Sequence, residues 1–347
     1  METEPLMRLL TYPVLLAVLA LSCSGRKAAN VSTVAAAPAK DTPATAAQAS
    51  PLPEFCADSA YNYIKRQTDF GPRVPNTKAH DDCGIWLAAQ LAGFGADKVH
   101  LQNFNAKTFD NTTLKGLNIV GSFNSDCPTR VILCSHWDSR PWADNDPDPS
   151  KHKTPVDAAN DGASGVAVIL EIARQMQKQA PEIGVDCIFL DAEDWGPGDD
   201  YKGQHLETWW GLGTQEWARN PHIKGYKARY AILLDMVGGK GATFYREKYS
   251  VMYGKQYVDK VWNAAAKLGY SSLFRQVDGY YVTDDHYFIN TIARIPAIDI
   301  VPHIPECEAS SFGPTWHTTS DNIDNIDKNV LEAVGKTLIS VIYNERQ

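Results

Sequence analysis

Apolar residues recur along this chain with two different periods, and where one gives way to the other the element changes. Val166, Ile169, Leu170 and Ala173 fall at the i, i+3, i+4, i+7 spacing of a core-facing helical stripe. Amphipathic segments predict further helices over residues 57–70, 81–94 and 327–343, the first two separated by the breaker Gly71-Pro72-Arg73-Val74-Pro75. Continuous apolar runs of strand length occupy residues 99–104, 117–120, 131–134, 185–190, 230–234 and 296–301. Strands alternating with helices predict an α/β fold, a single domain whose central mixed, mostly parallel sheet is flanked by helices on both faces.

The pattern breaks at the front of the chain. Residues 9–21 are almost wholly apolar apart from Thr11, Tyr12 and Pro13, yet the run is too short to span a bilayer. Arg8 precedes it and Ala20-Leu21-Ser22-Cys23 ends it, the layout of a secretory signal cut at a cysteine and similar to a bacterial lipobox. Glu2 and Glu4 are out of place in a signal, so Met7 is the expected start of translation. Residues 24–53 are Ala, Pro, Thr, Ser and Lys with hardly a large apolar side chain; such a segment cannot repay its ordering entropy and is expected to be a disordered tether. Three parts result: a signal peptide over 1–23, a tether over 24–53 and a folded domain over 54–347. The expected location is the periplasm, on a membrane, through lipid attached to Cys23.

Composition narrows the partners. With 21% charged residues and a formal net charge of -8, the chain has no basic excess with which to hold nucleic acid. Six cysteines remain besides Cys23: Cys56, Cys83, Cys127, Cys134, Cys187 and Cys307. An even number in an exported protein permits disulfides, but Cys134 and Cys187 sit inside apolar runs and read as buried free thiols. No Cys-x-x-Cys pair exists, which argues against thiolate metal chemistry.

Chemistry gathers where the apolar runs stop. The run ending at Cys134 meets His136 and Asp138, that ending at Leu190 meets Asp191, Glu193 and Asp194, that ending at Leu234 meets Asp235, and the last contains Asp299. Open α/β sheets bind ligands along the edge formed by the C-terminal ends of their strands. Asp161 lies in the small-residue turn Ala158-Ala159-Asn160-Asp161-Gly162-Ala163-Ser164-Gly165 that feeds the helical stripe. Taken singly, Asp161 reads as an N-cap, Asp235 as a turn cap and His136 as a core histidine. With His317 they form a set of carboxylates and imidazoles, the donors that Zn²⁺ takes at three protein positions while a fourth stays open for catalysis.

In order, His136-Trp137-Asp138, Asn160-Asp161-Gly162, Glu193-Asp194, Leu234-Asp235-Met236-Val237-Gly238 and Trp316-His317-Thr318 resemble the motif series of the zinc-dependent aminopeptidase superfamily, and Phe70-Gly71-Pro72-Arg73 fits near its start. Within that superfamily the chain is similar to glutaminyl-peptide cyclotransferases, or glutaminyl cyclases, of a bacterial branch. Asp284-Asp285-His286, Trp316 and Phe312, five residues ahead of His317, carry this finer likeness.

The resemblance implies one zinc per chain, held by Asp161, Asp194 and His317, with Glu193, Asp235 and Asp284 as catalytic carboxyls. It further implies that Phe312 and Trp316 wall the substrate pocket, and Trp195 is expected there with them. Substrates would be peptides or proteins with N-terminal glutamine, converted to pyroglutamate with release of ammonia, and the expected state is a monomer. The superfamily's hydrolases hold two zincs, and the chain matches all five of their ligand positions, His136, Asp161, Asp194, Asp235 and His317, so a two-zinc aminopeptidase is the alternative. Two departures stand out: Glu193-Asp194 where mammalian-type cyclases have two glutamates, and Asp299 where animal enzymes have histidine. The pocket wall between Trp195 and Trp210 is unassigned.

Overall fold

The computed structural model describes residues 51–198 and 201–347. The signal peptide, Cys23 and the tether up to Ser50 lie outside the described residues. In chain order the elements are α1 (Ala57–Thr68), α2 (Lys78–Gly93), β1 (Lys98–Lys107), β2 (Thr113–Phe123), β3 (Arg130–His136), α3 (Ala163–Lys178), β4 (Gly184–Leu190), α4 (Leu212–Arg219), β5 (Ala231–Leu234), β6 (Phe244–Arg246), α5 (Lys248–Lys267), β7 (Phe274–Asp278), α6 (Asp285–Phe288), β8 (Ala297–Ile300) and α7 (Lys328–Tyr343).

Six strands form the central sheet in the order β1-β2-β4-β3-β5-β8, with β6 and β7 paired separately. β4, β3, β5 and β8 are mutually parallel, whereas β1 and β2 are antiparallel, giving the expected mixed sheet. Alternation along each buried strand divides the core. Val131, Leu133, Val185, Cys187, Phe189, Ile232 and Leu234 face a large cluster built with α1, α2, α3, α5 and α7. Ile132, Cys134, Ile188, Leu190, Ala231 and Leu233 face a smaller one that includes Trp217 of α4 and Ile289. Each fully buried Val, Ile, Leu or Phe stabilises the fold by roughly 1.5–3 kcal/mol relative to exposure, so the strands specify register strongly.

Where sequence and structure differ, the reason is physical. β1 and β2 run well beyond the expected residues 99–104 and 117–120, pairing from Lys98 opposite Ser122 to Lys107 opposite Thr113. As an edge hairpin β1 is half solvated, and its polar positions hide its length. The six cysteines are free, with Cys134 and Cys187 buried as expected. No helix among the described residues is long and apolar enough to cross a membrane.

Candidate metal centre

Because β3, β4, β5 and β8 are parallel, their C-terminal ends lie along one edge, and the acids and imidazoles that follow them meet there. β3 ends in His136, β4 leads after Leu190 to Glu193 and Asp194, and β5 leads directly to Asp235. Asp161 comes from the turn before α3. Its carboxylate is not the helix cap: Gly162 occupies that position, without a side-chain bond. A Cβ on Gly162 would lie 2.4 Å from the His136 carbonyl oxygen and 2.6 Å from its ring, and one on Gly165 would lie 2.2 Å from the Leu234 carbonyl oxygen. Only glycine at both positions lets this turn close on β3 and β5.

Two overlapping donor sets result, and Asp161 belongs to both. Asp161, Asp194 and His317 place one ligand atom each within 4.8 Å of one another, as do His136, Asp161 and Asp235. In the first set His317 Nε2 is 3.2 Å from Asp194 Oδ1 and 3.9 Å from Asp161 Oδ2. In the second, His136 Nε2 is 2.9 Å from Asp161 Oδ1 and 3.2 Å from Asp235 Oδ1. All five side chains are buried. Asp194 Oδ2 is buried without any hydrogen-bond partner, a costly state for a carboxylate oxygen unless a cation satisfies it. Two carboxylates and one neutral imidazole with an orphaned oxygen form a donor set that fits zinc. His317 meets the condition of neutrality, since burial, followed by the nearby Arg140 charge, holds its pKa well below that of a free histidine.

Supporting residues fix this geometry, and most of them belong to no sequence motif. Asp138 accepts the backbone N–H of Glu193 at 3.1 Å and of Asp194 at 3.2 Å. Asp321 does the same for Asn160 at 2.8 Å and Asp161 at 3.1 Å. Buried Arg140 donates to both Asp194 Oδ1 and the Asp194 carbonyl at 3.1 Å, and forks onto Asp144. Both Arg140 and Asp321 stand four residues beyond a metal-side histidine, a spacing that carries no general signal. His317 itself has φ 56°, and Ala192 and Met236, beside Glu193 and Asp235, have φ 53° and 51°. Such left-handed backbone costs about 1–3 kcal/mol per residue and gathers at functional sites.

A cavity of 470 Å³ opens on the donors, lined by Asp161, Glu193, Asp194, Asp235, Asp284, His317, Leu206, Trp210, Met236, Tyr281, Val282, Thr283, Phe312 and Trp316. Trp316 stacks on the His317 ring at 3.8 Å between centroids, and Trp210 lies parallel to the same ring at 6.2 Å. Phe312 and Trp316 both line this cavity. Trp195 does not line this cavity: it packs edge-on to Trp142 beside Phe104 and Leu114, and Trp210, with Leu206, supplies the wall instead. Trp195, next to the acidic pair, stands away from the cavity, whereas Leu206 and Trp210 line it, so nearness in sequence to the acidic pair misleads.

The pKa values of Glu193, Asp235 and Asp284 are displaced upward. Burial raises Glu193 well above an ordinary glutamate; His136 opposes the rise, and the charges of Asp284 and Asp194 add to it. Burial raises Asp235 to about 6 with help from Asp161, and Asp284 to about 6 with help from Asp235. Behind Asp284, the imidazole of His286 meets Glu247 at 2.9 Å, with Asp299 3.6 Å from its other nitrogen. These residues form a buried polar layer under the cavity floor.

Comparison with known proteins agrees with this architecture. The chain is 54% identical to a Bacteroides thetaiotaomicron glutaminyl cyclase solved with N-acetylhistamine bound, with a TM-score of 0.83 over 85% of this chain and 100% of that one. It is 50% identical to a Zn-dependent exopeptidase from Parabacteroides distasonis, with a TM-score of 0.82 over 85% of this chain and 100% of that one. Among curated proteins, the glutaminyl-peptide cyclotransferase of Bos taurus is 25% identical over 254 residues, 64% of this chain and 64% of that protein, so the chain spans less than two thirds of that relative. The model described as Peptidase family M28 matches residues 118–342, more than half of the chain. With its strand-end carboxylates, two imidazoles and mixed sheet, the chain belongs to peptidase family M28.

Proposed function

We propose that this protein is a glutaminyl-peptide cyclotransferase, acting on peptides and proteins with N-terminal glutamine through one zinc held by Asp161, Asp194 and His317. The observation that carries the reading is a buried carboxyl, Glu193, facing the cavity between the donors and the aromatic walls Trp210, Phe312 and Trp316. Similarity to the bacterial glutaminyl cyclase at 54% identity supports it. Bound zinc would supply Lewis-acid polarisation of the γ-carbonyl of the glutamine side chain.

The chain's own residues account for the rest. Glu193 takes a proton from the α-amine as its nitrogen bonds to the carbonyl carbon of the side-chain amide, and returns that proton to the departing amide nitrogen, whose bond to that carbon breaks and which leaves as ammonia. A raised pKa suits a carboxyl that must both accept and give at neutral pH. Asp235 and Asp284, on the same cavity wall, hold the leaving nitrogen by charge-assisted hydrogen bonds. The aromatic walls keep the flexible side chain folded toward its own amine, an orientation effect worth several kcal/mol of barrier.

A second reading is the two-zinc aminopeptidase, favoured by the intact His136, Asp161 and Asp235 set and by the likeness to the exopeptidase. Metal analysis paired with product analysis separates them. A cyclase is expected to hold one equivalent of zinc and release ammonia from a glutaminyl peptide. Two equivalents with release of free amino acids would establish the peptidase. The same proposal places the catalytic domain, residues 54–347, on a lipid anchor at Cys23 in the periplasm, as a monomer tethered by residues 24–53.

A further inference from the structure

A second pocket, of 260 Å³, adjoins the catalytic cavity and shares Tyr281, Val282 and Phe312 with it as common walls. Beyond that partition its walls include Tyr245, Tyr280, His303 and the buried carboxylate of Glu247. The rings are organised: Tyr245 and Tyr280 stand edge-on to the imidazole of His303, at 4.9 Å and 4.8 Å between centroids and 89° and 82° between planes. Burial lowers the pKa of His303, and the Glu247 carboxylate that lines the same pocket is taken up by the N–H groups of Tyr249, Ser250 and Val282 and by His286. Tyr280 is 64% exposed and Tyr281 55%, an aromatic rim of the kind that marks a binding surface. A cavity of about 150 Å³ is enough to hold a benzene ring, so this one accommodates an aromatic or large aliphatic side chain.

Chemistry at the N-terminal residue does not use this space. A glutamine side chain and its amine occupy the part of the catalytic cavity nearest the donors, while the rest of a peptide must leave it over some wall. We infer that the peptide leaves over Tyr281, Val282 and Phe312, and that the pocket of Tyr245, Tyr280 and His303 receives the aromatic or large aliphatic side chain of the residue following the glutamine. The inference rests on the cyclase reading and names the peptides that site prefers.

Steady-state ammonia release from glutaminamide, Gln-Ala amide and Gln-Phe amide tests it in the wild type, Tyr280→Ala and His303→Ala. Neither substituted residue lines the catalytic cavity, and truncating the exposed Tyr280 removes no core packing. In the wild type kcat/KM is expected to favour the Phe peptide over the Ala peptide by about tenfold or more. Both variants are expected to lose most of that preference through KM, as removal of uniform binding does, with turnover of glutaminamide unchanged. A wild type that treats the two peptides alike, or variants that keep its preference, would overturn the pocket assignment while leaving the cyclase standing. A wild type that releases no ammonia from glutaminamide would overturn the cyclase reading and this inference with it.

Discussion

Glu193 is one carboxyl among many at the strand edge, and its surroundings set its task. It is 8% exposed, lies next in sequence to Asp194, and has a pKa raised by burial that would suit a proton shuttle. Glu193→Gln keeps volume and shape but cannot accept the amine proton. We expect kcat to fall by about 10²–10⁴-fold with KM little altered and zinc retained, as metal analysis alongside kinetics would show. Near-normal turnover would exclude this carboxyl as the shuttle, and loss of zinc would make it a ligand. His136, Asp194 and Asp235 stood out in the sequence because a charged or imidazole residue at or just after the end of an apolar strand is conspicuous, whereas Asp161 stood out through its small-residue turn and His317 through the motif series. Arg140 and Asp321 were not, since residues that act by holding backbone carry no pattern of their own. Trp210 was missed for a related reason: it lies sixteen residues beyond Asp194, and chain distance gives no hint that it lines the same cavity.

At the scale of elements, the junction that matters is the start of α5. Glu247 caps this helix by accepting the N–H groups of Tyr249 at 2.8 Å and Ser250 at 2.6 Å, and it also accepts Val282 N–H at 3.0 Å and meets His286. One carboxylate thus ties the longest helix to the loop that carries Val282 and Asp284 into the cavity. Burial alone would raise its pKa, but His286 and the donated hydrogen bonds prevail and bring it to about 2. Glu247→Gln places an amide where only acceptors fit, and we expect a loss of about 2–4 kcal/mol, from the cap and from a buried imidazole left poorly partnered. Denaturant unfolding would register it as a lower midpoint at constant slope; an unchanged midpoint would mean that this junction carries no stability. Little of α5 was legible beforehand. Its inward positions begin with Ser250 and Gly254 before reaching Val258, Val261, Trp262 and Ala265, so its first two turns show no apolar stripe. The stripe of α3, by contrast, was plain because that helix is buried almost throughout.

For the molecule as a whole, the sheet class followed from strands alternating with helices, whereas the edge hairpin of β1 and β2 was only half visible because solvent replaces core on one side. The proposed anchor concerns the entire chain: wild-type protein is expected to partition with membranes and Cys23→Ser protein to stay soluble, a difference that detergent phase separation would read directly. Soluble behaviour of the mature wild type would refute the lipid anchor. The crowding of acids at the strand edge reaches furthest. With no cation present, burial holds Asp194 at about 7 and Asp235 and Asp284 at about 6, all above the value of about 4 for an exposed aspartate in the unfolded chain. Folded pKa values raised in this way stabilise the fold at low pH, and the contribution disappears as pH climbs from about 4 to about 7, because the unfolded chain sheds those protons first. Zinc relieves the repulsion, so the rise in Tm on adding zinc to chelator-stripped protein should grow over the same interval; a rise independent of pH would contradict it. Loading the centre is then an exchange reaction, in which the ion displaces protons from the carboxyls it neutralises, and acidification of the surroundings would by itself favour the empty enzyme.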